Sequence, residues 1–148
     1  MTDPAPTHGT AHQASAVAIG GRALMIEGAP GSGKSSLALA LIDRGATLIG
    51  DDGVILWADG ARLLVSPHPR IAGLLEVRNV GLITVPVAAA VPLALVLMFD
   101  TDAPRHIDVP ELVERAGVAV PMVRLWPDSP VLALRAEIAL AQFGKAMA

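Results

Sequence analysis

The chain contains no cysteine, and aromatic side chains make up only 3% of its 148 residues. The absence of cysteine excludes disulfide bonds and thiolate metal sites. Neither sign of charge is in large excess, and the formal net charge at pH 7 is −3. A nucleic-acid-binding surface would require clustered basic residues, so we expect no nucleic-acid partner.

Long hydrophobic segments are missing as well. The longest apolar run, Val85 to Phe99, is too short for a comfortable membrane span and is divided by Pro86 and Pro92. A connector followed by a buried strand from Leu93 to Phe99 fits this run better. The N-terminus carries Asp3 and lacks the apolar core of a secretory signal. We therefore expect a cytoplasmic protein with no membrane partner, made of a flexible tail (residues 1–10) and one domain (residues 11–148).

What the chain does contain is a phosphate-binding motif. Residues 28–35 read Gly-Ala-Pro-Gly-Ser-Gly-Lys-Ser, which fits G-x-x-x-x-G-K-[ST]. In such a loop the glycines let successive N–H groups point inward at an anion. Lys34 would reach the β- and γ-phosphates, and the Ser35 hydroxyl would lie on Mg²⁺. The predicted nucleotide-binding residues are Gly28, Ala29, Pro30, Gly31, Ser32, Gly33, Lys34, Ser35 and Ser36.

The residues around the motif support this interpretation. Ala23 to Ile26 is a short apolar run typical of a buried strand, and Ser35 to Arg44 is rich in strong helix formers. The order strand, loop, helix is the one that a phosphate-binding loop requires. A nucleotide or a comparable phosphate is the expected ligand.

The neighbouring segments predict hairpins rather than regular βαβ units. Gly20-Gly21 joins the strand Val17 to Ile19 to the strand before the loop, and Asp59-Gly60 lies between two further apolar runs. A third strand, Thr47 to Ile49, follows the first helix. We therefore predict an α/β fold, a P-loop domain with a mixed, hairpin-containing sheet.

The C-terminal third is predicted to hold two helices and a strand. Asp108 as cap, Pro110 in the first turn and Glu111 predict a short helix that ends near Gly117. Val118 to Leu125 is a predicted strand interrupted at Pro121. A final helix is predicted to open at Ser129-Pro130 and to end at about Phe143.

Two acidic sites compete for the chemistry of phosphoryl transfer, which needs carboxylates at the metal and the nucleophile. Asp100 ends an apolar strand, as the magnesium aspartate of many phosphate-loop enzymes does. Asp51 and Asp52 also follow a strand, although Asp-Asp-Gly is ordinary turn chemistry. The residue pattern leaves both sites open.

Several segments, taken in order, resemble the catalytic domain of HPr kinase/phosphorylase in a short form that lacks the N-terminal domain of that family. His12 stands before a strand at the family's distance from the phosphate loop, and Leu48-Ile49-Gly50-Asp51-Asp52 resembles the family's strand and acidic pair. Residues 76–83, Glu-Val-Arg-Asn-Val-Gly-Leu-Ile, resemble the signature E-[IV]-R-G-L-G-I-I, and residues 117–121 resemble G-V-x-[IV]-P. The implied fold is that of the HPr kinase and phosphoenolpyruvate carboxykinase-like group.

The resemblance implies an ATP-dependent protein-serine kinase acting on HPr, the phosphocarrier of a phosphotransferase system. It also implies the reverse step, in which inorganic phosphate attacks the phosphoserine. ATP and Mg²⁺ are the implied cofactors, and a homo-oligomer is an expected assembly.

The resemblance also implies a role for each matching residue. Ser35 and Glu76 would bind Mg²⁺, and Lys34 would stabilise charge on the phosphates. Asp51 or Asp52 would be the general base, with the spacing from Lys34 favouring Asp52. His12 would keep that aspartate ionised or position the attacking group. Arg105, found by counting back from Gly117, falls on the family's catalytic arginine.

The sequence departs from the family at Asn79, which replaces the signature glycine, and at Pro30 inside the phosphate loop. Residues 126–130 read Trp-Pro-Asp-Ser-Pro where the family has a basic segment, which argues against the reverse activity and a hexamer. Two other functions are considered. A small-molecule kinase or nucleoside triphosphatase would place Asp100 on magnesium, and a regulatory nucleotide-binding module would need Lys34 without transferring phosphate.

Overall fold

A computed structural model describes residues 9–146, which form a curled mixed sheet with two helices on one face. Within this range no helix has the length and apolar character needed to cross a membrane. The elements in chain order are β1 (Thr10–His12), β2 (Ser15–Ile19), β3 (Arg22–Glu27), α1 (Lys34–Asp43), β4 (Thr47–Gly50), β5 (Val54–Asp59), β6 (Arg62–Pro67), β7 (Leu74–Val77), β8 (Gly81–Thr84), β9 (Val91–Phe99), β10 (Glu111–Arg115), β11 (Val118–Leu125) and α2 (Leu132–Phe143).

Strand β3, which leads into the phosphate loop, lies at the centre of the sheet. The strand order is β1-β5-β6-β9-β3-β2-β4, with β11 also paired to β9 and β10 paired to β11. β3 runs parallel to β9 and antiparallel to β2, and β2 runs antiparallel to β4. Hence β3, β4 and β9 all point the same way. Their C-terminal ends meet at one edge, and the loops that follow them can share a site.

Alternation along β3 divides the core into two layers. Leu24 and Ile26 pack with residues of α1 and α2, whereas Ala23 and Met25 pack with the strands that curl over the opposite face. Because successive side chains of a strand point to opposite faces, a strand with an apolar interior, such as Ala23 to Ile26 of β3, must be covered on both sides. Both layers therefore hold the strand in place directly before the loop.

The predicted α/β fold with hairpin-linked strands is confirmed. β2 and β3 are joined at Gly20-Gly21, where both residues have positive φ, and β5 pairs with β6 through a turn at Gly60-Ala61. The first helix begins one residue earlier than predicted. The last helix begins at Leu132, later than the predicted start at Ser129-Pro130, and ends at Phe143 as expected.

The short helix predicted from Asp108 to Gly117 is wrong. Residues 111–115 form β10, which pairs antiparallel with β11. Val113 and Arg115 are half-buried while their neighbours are exposed, which is the period of two that a strand shows. The helix-start residues are a local preference, and the open edge of β11 overrides that preference through its hydrogen bonds.

Two further predictions are corrected. β11 is continuous through Pro121, because its pairing with β9 starts only at Met122. Thr10, assigned to the tail, begins β1, which pairs with β5. Residues 1–8 of that predicted tail lie outside the described residues.

We predict unequal effects on stability from two substitutions in the β10–β11 turn. Gly117 has φ 81° with open space where a Cβ would stand, so Gly117→Ala is expected to destabilise the domain by about 1 kcal/mol through backbone strain alone. Ala116 has φ 48°, so Ala116→Gly should change stability by less than about 0.5 kcal/mol. Urea unfolding measures both. A helix at this place would reverse the order, since alanine stabilises a helix relative to glycine.

Candidate active site

The phosphate loop connects β3 to α1 and adopts an anion-binding conformation. Gly31 and Gly33 have φ values of 76° and 104°, which L side chains rarely adopt. Gly28 is also required, because a Cβ there would lie 2.8 Å from the Ser32 hydroxyl and 3.1 Å from Phe99. No side chain caps the N-terminus of α1, so its first N–H groups and its dipole are left for a bound anion.

Lys34 is folded back across the loop. Its Nζ donates to the carbonyl oxygens of Gly28 and Ala29, at 3.0 Å each. These hydrogen bonds hold the ammonium group at the mouth of the loop, in a side chain that is otherwise buried. A phosphate in the loop would offer it charged acceptors in place of neutral carbonyls, and charge-assisted hydrogen bonds are the stronger kind.

Asp51 is the carboxylate that faces the loop. Its Oδ1 accepts from the Ser35 hydroxyl at 2.6 Å and from the Ser15 hydroxyl at 2.9 Å, while its Oδ2 accepts from the Glu76 backbone N–H at 3.1 Å. Gly50 makes this placement possible, because a Cβ there would lie 2.4 Å from the Gly53 carbonyl oxygen. The tight turn after β4 thus directs Asp51 inward beneath the start of α1.

Asp52 differs sharply from its neighbour. It is exposed, whereas Asp51 is only 7% exposed, and its φ of 61° turns the backbone outward. Its polar contacts are weak, since Gln13 Nε2 lies 3.4 Å from Oδ1 and its own N–H lies 3.3 Å from the Ser15 hydroxyl. The two aspartates therefore offer one buried, hydrogen-bonded carboxylate and one that is open to an incoming group.

The β7–β8 hairpin completes the pocket. Glu76 and Arg78 line it together with the loop and both aspartates, and their side chains lie 4.0 Å apart. Asn79 in the turn has φ 69°, a conformation that asparagine tolerates better than most residues. This explains how the chain departs from the signature glycine and keeps the hairpin. The pocket is lined by Gln13, Ser15, Pro30, Gly31, Gly33, Lys34, Ser35, Ser36, Asp51, Asp52, Glu76 and Arg78.

Two sequence candidates lie outside this pocket. Asp100 accepts from Arg124 at 3.2 Å and from the backbone N–H of Asp102 at 2.8 Å. Arg105 is exposed and borders a separate cavity with Arg124, Trp126 and Arg135. The carboxylate on the loop serine is thus that of Asp51, and the structure does not bring Arg105 to the phosphates.

His12 borders a second cleft, which it shares with Asp52. Its Nε2 lies 2.7 Å from Oε2 of Glu27, the last residue of β3. Glu27 also forms two hydrogen bonds with Arg115 of β10, at 2.9 Å and 2.6 Å. Sequence reasoning missed Glu27, Arg115 and Ser15. A charged residue that ends an otherwise apolar strand was the available signal for Glu27.

The comparisons with known proteins concern the family and the fold of the chain. The HPr serine kinase C-terminal domain family matches residues 6–89, more than half of the chain. The chain belongs to this family. An HPr kinase/phosphorylase from Exiguobacterium sibiricum is 44% identical over 82 residues, covering 55% of this chain and 26% of that protein. One from Streptococcus uberis is 36% identical over 124 residues, covering 72% of this chain and 39% of that protein. The chain therefore spans well under half the length of these relatives.

A solved structure extends the match to the fold of the family. The HPr(Ser) kinase/phosphatase from Coxiella burnetii superposes with a TM-score of 0.78 at 25% sequence identity, covering 89% of this chain and 94% of that one. The likeness thus reaches well past residue 89. It includes most of the curled sheet around the phosphate loop.

We predict that Glu27 makes the domain acid-sensitive. Burial raises its pKa, but hydrogen bonds and charges from Arg115 and His12 outweigh burial and lower the pKa from 4.5 to about 2. A lowered pKa in the folded state stabilises the fold above pH 4.5, and that contribution is lost as pH falls toward 2. The shift corresponds to about 3 kcal/mol. Unfolding measured from pH 7 to pH 2 should show this loss.

Glu27→Gln provides the control for this prediction, because it removes the titrating group and keeps the shape of the side chain. The variant should be less stable at pH 7 and should lose less stability on acidification than the parent protein. Parallel pH profiles for the two proteins would contradict the assignment.

Proposed function

We propose that this domain is an ATP-dependent protein-serine kinase whose substrate is an HPr-type phosphocarrier. The observation that supports it best is the contact between the Ser35 hydroxyl and Asp51, beside the Glu76 hairpin and the open Asp52. The curated relatives named above are HPr kinase/phosphorylases, which agrees with this substrate.

The residues present fit Mg²⁺. Ser35, Asp51 and Glu76 place hydroxyl and carboxylate oxygens in the pocket beside the phosphate loop, and hard oxygen ligands are what this ion prefers. Residues 9–146 contain no cluster of three or more metal-binding side chains. In kinases Mg²⁺ uses one or two protein ligands beside phosphate oxygens and water, so a cluster is not required. When bound, it would neutralise charge on the phosphates, held by Ser35 and Glu76 with Asp51 behind Ser35.

The transfer step assigns separate roles to the two aspartates. Asp52, which is open to an incoming side chain, accepts the proton of the substrate serine hydroxyl while the serine oxygen forms a bond to the γ-phosphorus. The bond between the γ-phosphorus and the oxygen that bridges it to the β-phosphate breaks, and ADP leaves with the electron pair. Lys34 donates to the phosphate oxygens, while Asp51 keeps Ser35 and the Glu76 hairpin in place. His12, across the second cleft, would position Asp52 or keep it ionised.

Arg105 borders a separate cavity, outside the pocket that the phosphate loop lines. We keep it as a proposed transition-state arginine on the strength of the family pattern. Self-association also stays a prediction.

The reverse reaction is tested separately. If the domain releases pyrophosphate when it is mixed with the phosphoserine form of the carrier and inorganic phosphate, the proposal extends to the phosphorylase reaction.

Of the alternatives, a small-molecule kinase with Asp100 on magnesium receives no support from the site, since Asp100 pairs with Arg124. A binding module without transfer would use the same loop. It is separated from the kinase by activity alone.

We predict that ATP binding depends on Lys34. Lys34→Met should weaken the affinity for Mg²⁺-ATP at least about tenfold, because a hydrogen bond to a charged group contributes roughly 1.5–3 kcal/mol. The other lysine of the chain, Lys145, donates to the Ala61 carbonyl oxygen far from the loop in sequence, so Lys145→Met is the matched control. Calorimetric titration measures both variants. Equal affinities would remove the loop from nucleotide binding.

We predict that Asp52→Asn lowers kcat for serine phosphorylation of an HPr-type carrier by about a hundredfold or more while Mg²⁺-ATP still binds. Asp51→Asn should instead weaken Mg²⁺-ATP binding, since it disturbs Ser35. Asp100→Asn is the control and should retain transfer. Labelled ATP with purified carrier provides the assay.

The alternative outcomes of this assay are equally specific. Loss of transfer in Asp51→Asn, with Asp52→Asn active and ATP still bound, would make Asp51 the base. ATP binding with no transfer by the parent protein to any carrier would overturn the kinase proposal and leave the binding module.

A further inference from the structure

Glu27 is a buried carboxylate to which the mechanism above assigns no role. It ends β3, directly before Gly28 of the phosphate loop, and its side chain is only 9% exposed. Burying a carboxylate without partners costs several kcal/mol, so a buried glutamate at this position must be paired. The identity of its partners indicates what the position does.

Arg115 satisfies most of this requirement. Its Nε donates to Oε2 at 2.9 Å and its Nη2 to Oε1 at 2.6 Å, the two-point geometry that suits a guanidinium and a carboxylate. One guanidinium already neutralises one carboxylate. Charge balance therefore does not require a second partner.

His12 is nevertheless the second partner, with its Nε2 2.7 Å from Oε2. The three side chains come from three strands, β1, β3 and β10, and Arg115 is 88 positions from Glu27 in sequence. An ionised carboxylate only accepts hydrogen bonds, so Nε2 carries a hydrogen whether the ring is neutral or charged. In the neutral ring, Nδ1 is then the nitrogen available to a neighbour in the cleft that His12 shares with Asp52.

We propose that Glu27 is a positioning residue for phosphoryl transfer. Held by Arg115, its carboxylate fixes the orientation of His12 and the ring nitrogen that carries the hydrogen, in the cleft that His12 shares with Asp52. This inference rests on the proposed function in so far as His12 and Asp52 serve the transfer. A carboxylate that orients a histidine in this way is a general device of active sites. Glu27 directly precedes Gly28 in the chain, so its side chain also fixes the position of His12 relative to the phosphate loop.

Two variants separate positioning from stability. Glu27→Leu and Arg115→Leu both remove the buried ion pair, but only Glu27→Leu removes the acceptor of His12. Thermal unfolding first establishes the folded fraction of each. Nuclear magnetic resonance of ¹⁵N-labelled protein then follows the ring N–H of His12, which a hydrogen bond to the carboxylate protects from exchange with water. His12→Ala identifies the signal.

We expect the protected ring N–H in the parent protein and in Arg115→Leu, and its loss in Glu27→Leu. With Mg²⁺-ATP and the carrier, Glu27→Leu should lower kcat at least about tenfold and leave KM for ATP within about twofold, as expected of a positioning partner. Arg115→Leu should lower kcat less than about threefold. The double variant that combines Glu27→Leu with His12→Ala should have the same kcat as His12→Ala alone, since Glu27 acts through His12.

Equal effects of the two leucine variants on the signal or on kcat, at equal folded fraction, would reduce Glu27 to a structural ion pair and overturn the proposal. A parent protein without the ring N–H signal would overturn it as well. If the parent protein transfers no phosphate, the proposed kinase function fails, and the resonance experiment still decides whether Glu27 fixes His12. Should Glu27→Leu not fold, Glu27→Gln leaves one acceptor oxygen for the donors of Arg115 and His12, and the signal should weaken.

Discussion

The site depends on one buried carboxylate. Asp51 accepts hydrogen bonds from the Ser35 and Ser15 hydroxyls and from the Glu76 backbone, so it connects the start of α1, the strand β2 and the β7–β8 hairpin. The same elements share one apolar cluster through Val17, Leu37 and Leu75, and Asp51 adds a polar connection at its edge. A buried carboxylate that loses its hydrogen-bond donors is strongly destabilising. The carboxylate of Asp51 and its three donors therefore hold one another in place.

The second constraint is the pairing of Glu27 with Arg115 and His12, which connects the strand before the phosphate loop to both outer parts of the sheet. The first network lies beneath the loop and the second lies at the end of β3. Asp52 lies between the pocket of the first and the cleft of the second, and it is exposed. The two networks therefore flank Asp52, the exposed member of the aspartate pair.

The β10 segment illustrates where local signals fail. Its Asp-x-Pro-Glu start is a sound helix signal, yet the segment pairs with β11 and contributes Arg115 to Glu27. The pair with Glu27 joins residues 88 positions apart, and β11, although it follows β10 directly, is held in the sheet by the distant strand β9. A helix-start pattern contains no information about either interaction. Asn79 shows the opposite case, because a residue that tolerates positive φ preserves the signature hairpin without its glycine.

The sequence by itself determined the phosphate loop, the strand before it and the helix after it, because glycine spacing and apolar runs act through local backbone preference. It also determined the two hairpins for the same reason, with the first turn at Gly20-Gly21 and the second at Gly60-Ala61, one residue beyond the predicted Asp59-Gly60. The residue pattern left the Asp51–Asp52 pair and Asp100 open, and the resemblance to the family favoured the pair. The tertiary structure gave the three carboxylates different surroundings, with Asp51 on Ser35, Asp52 exposed and Asp100 on Arg124. Burial and hydrogen-bond partners are set by strand order, which contacts across the whole sheet decide.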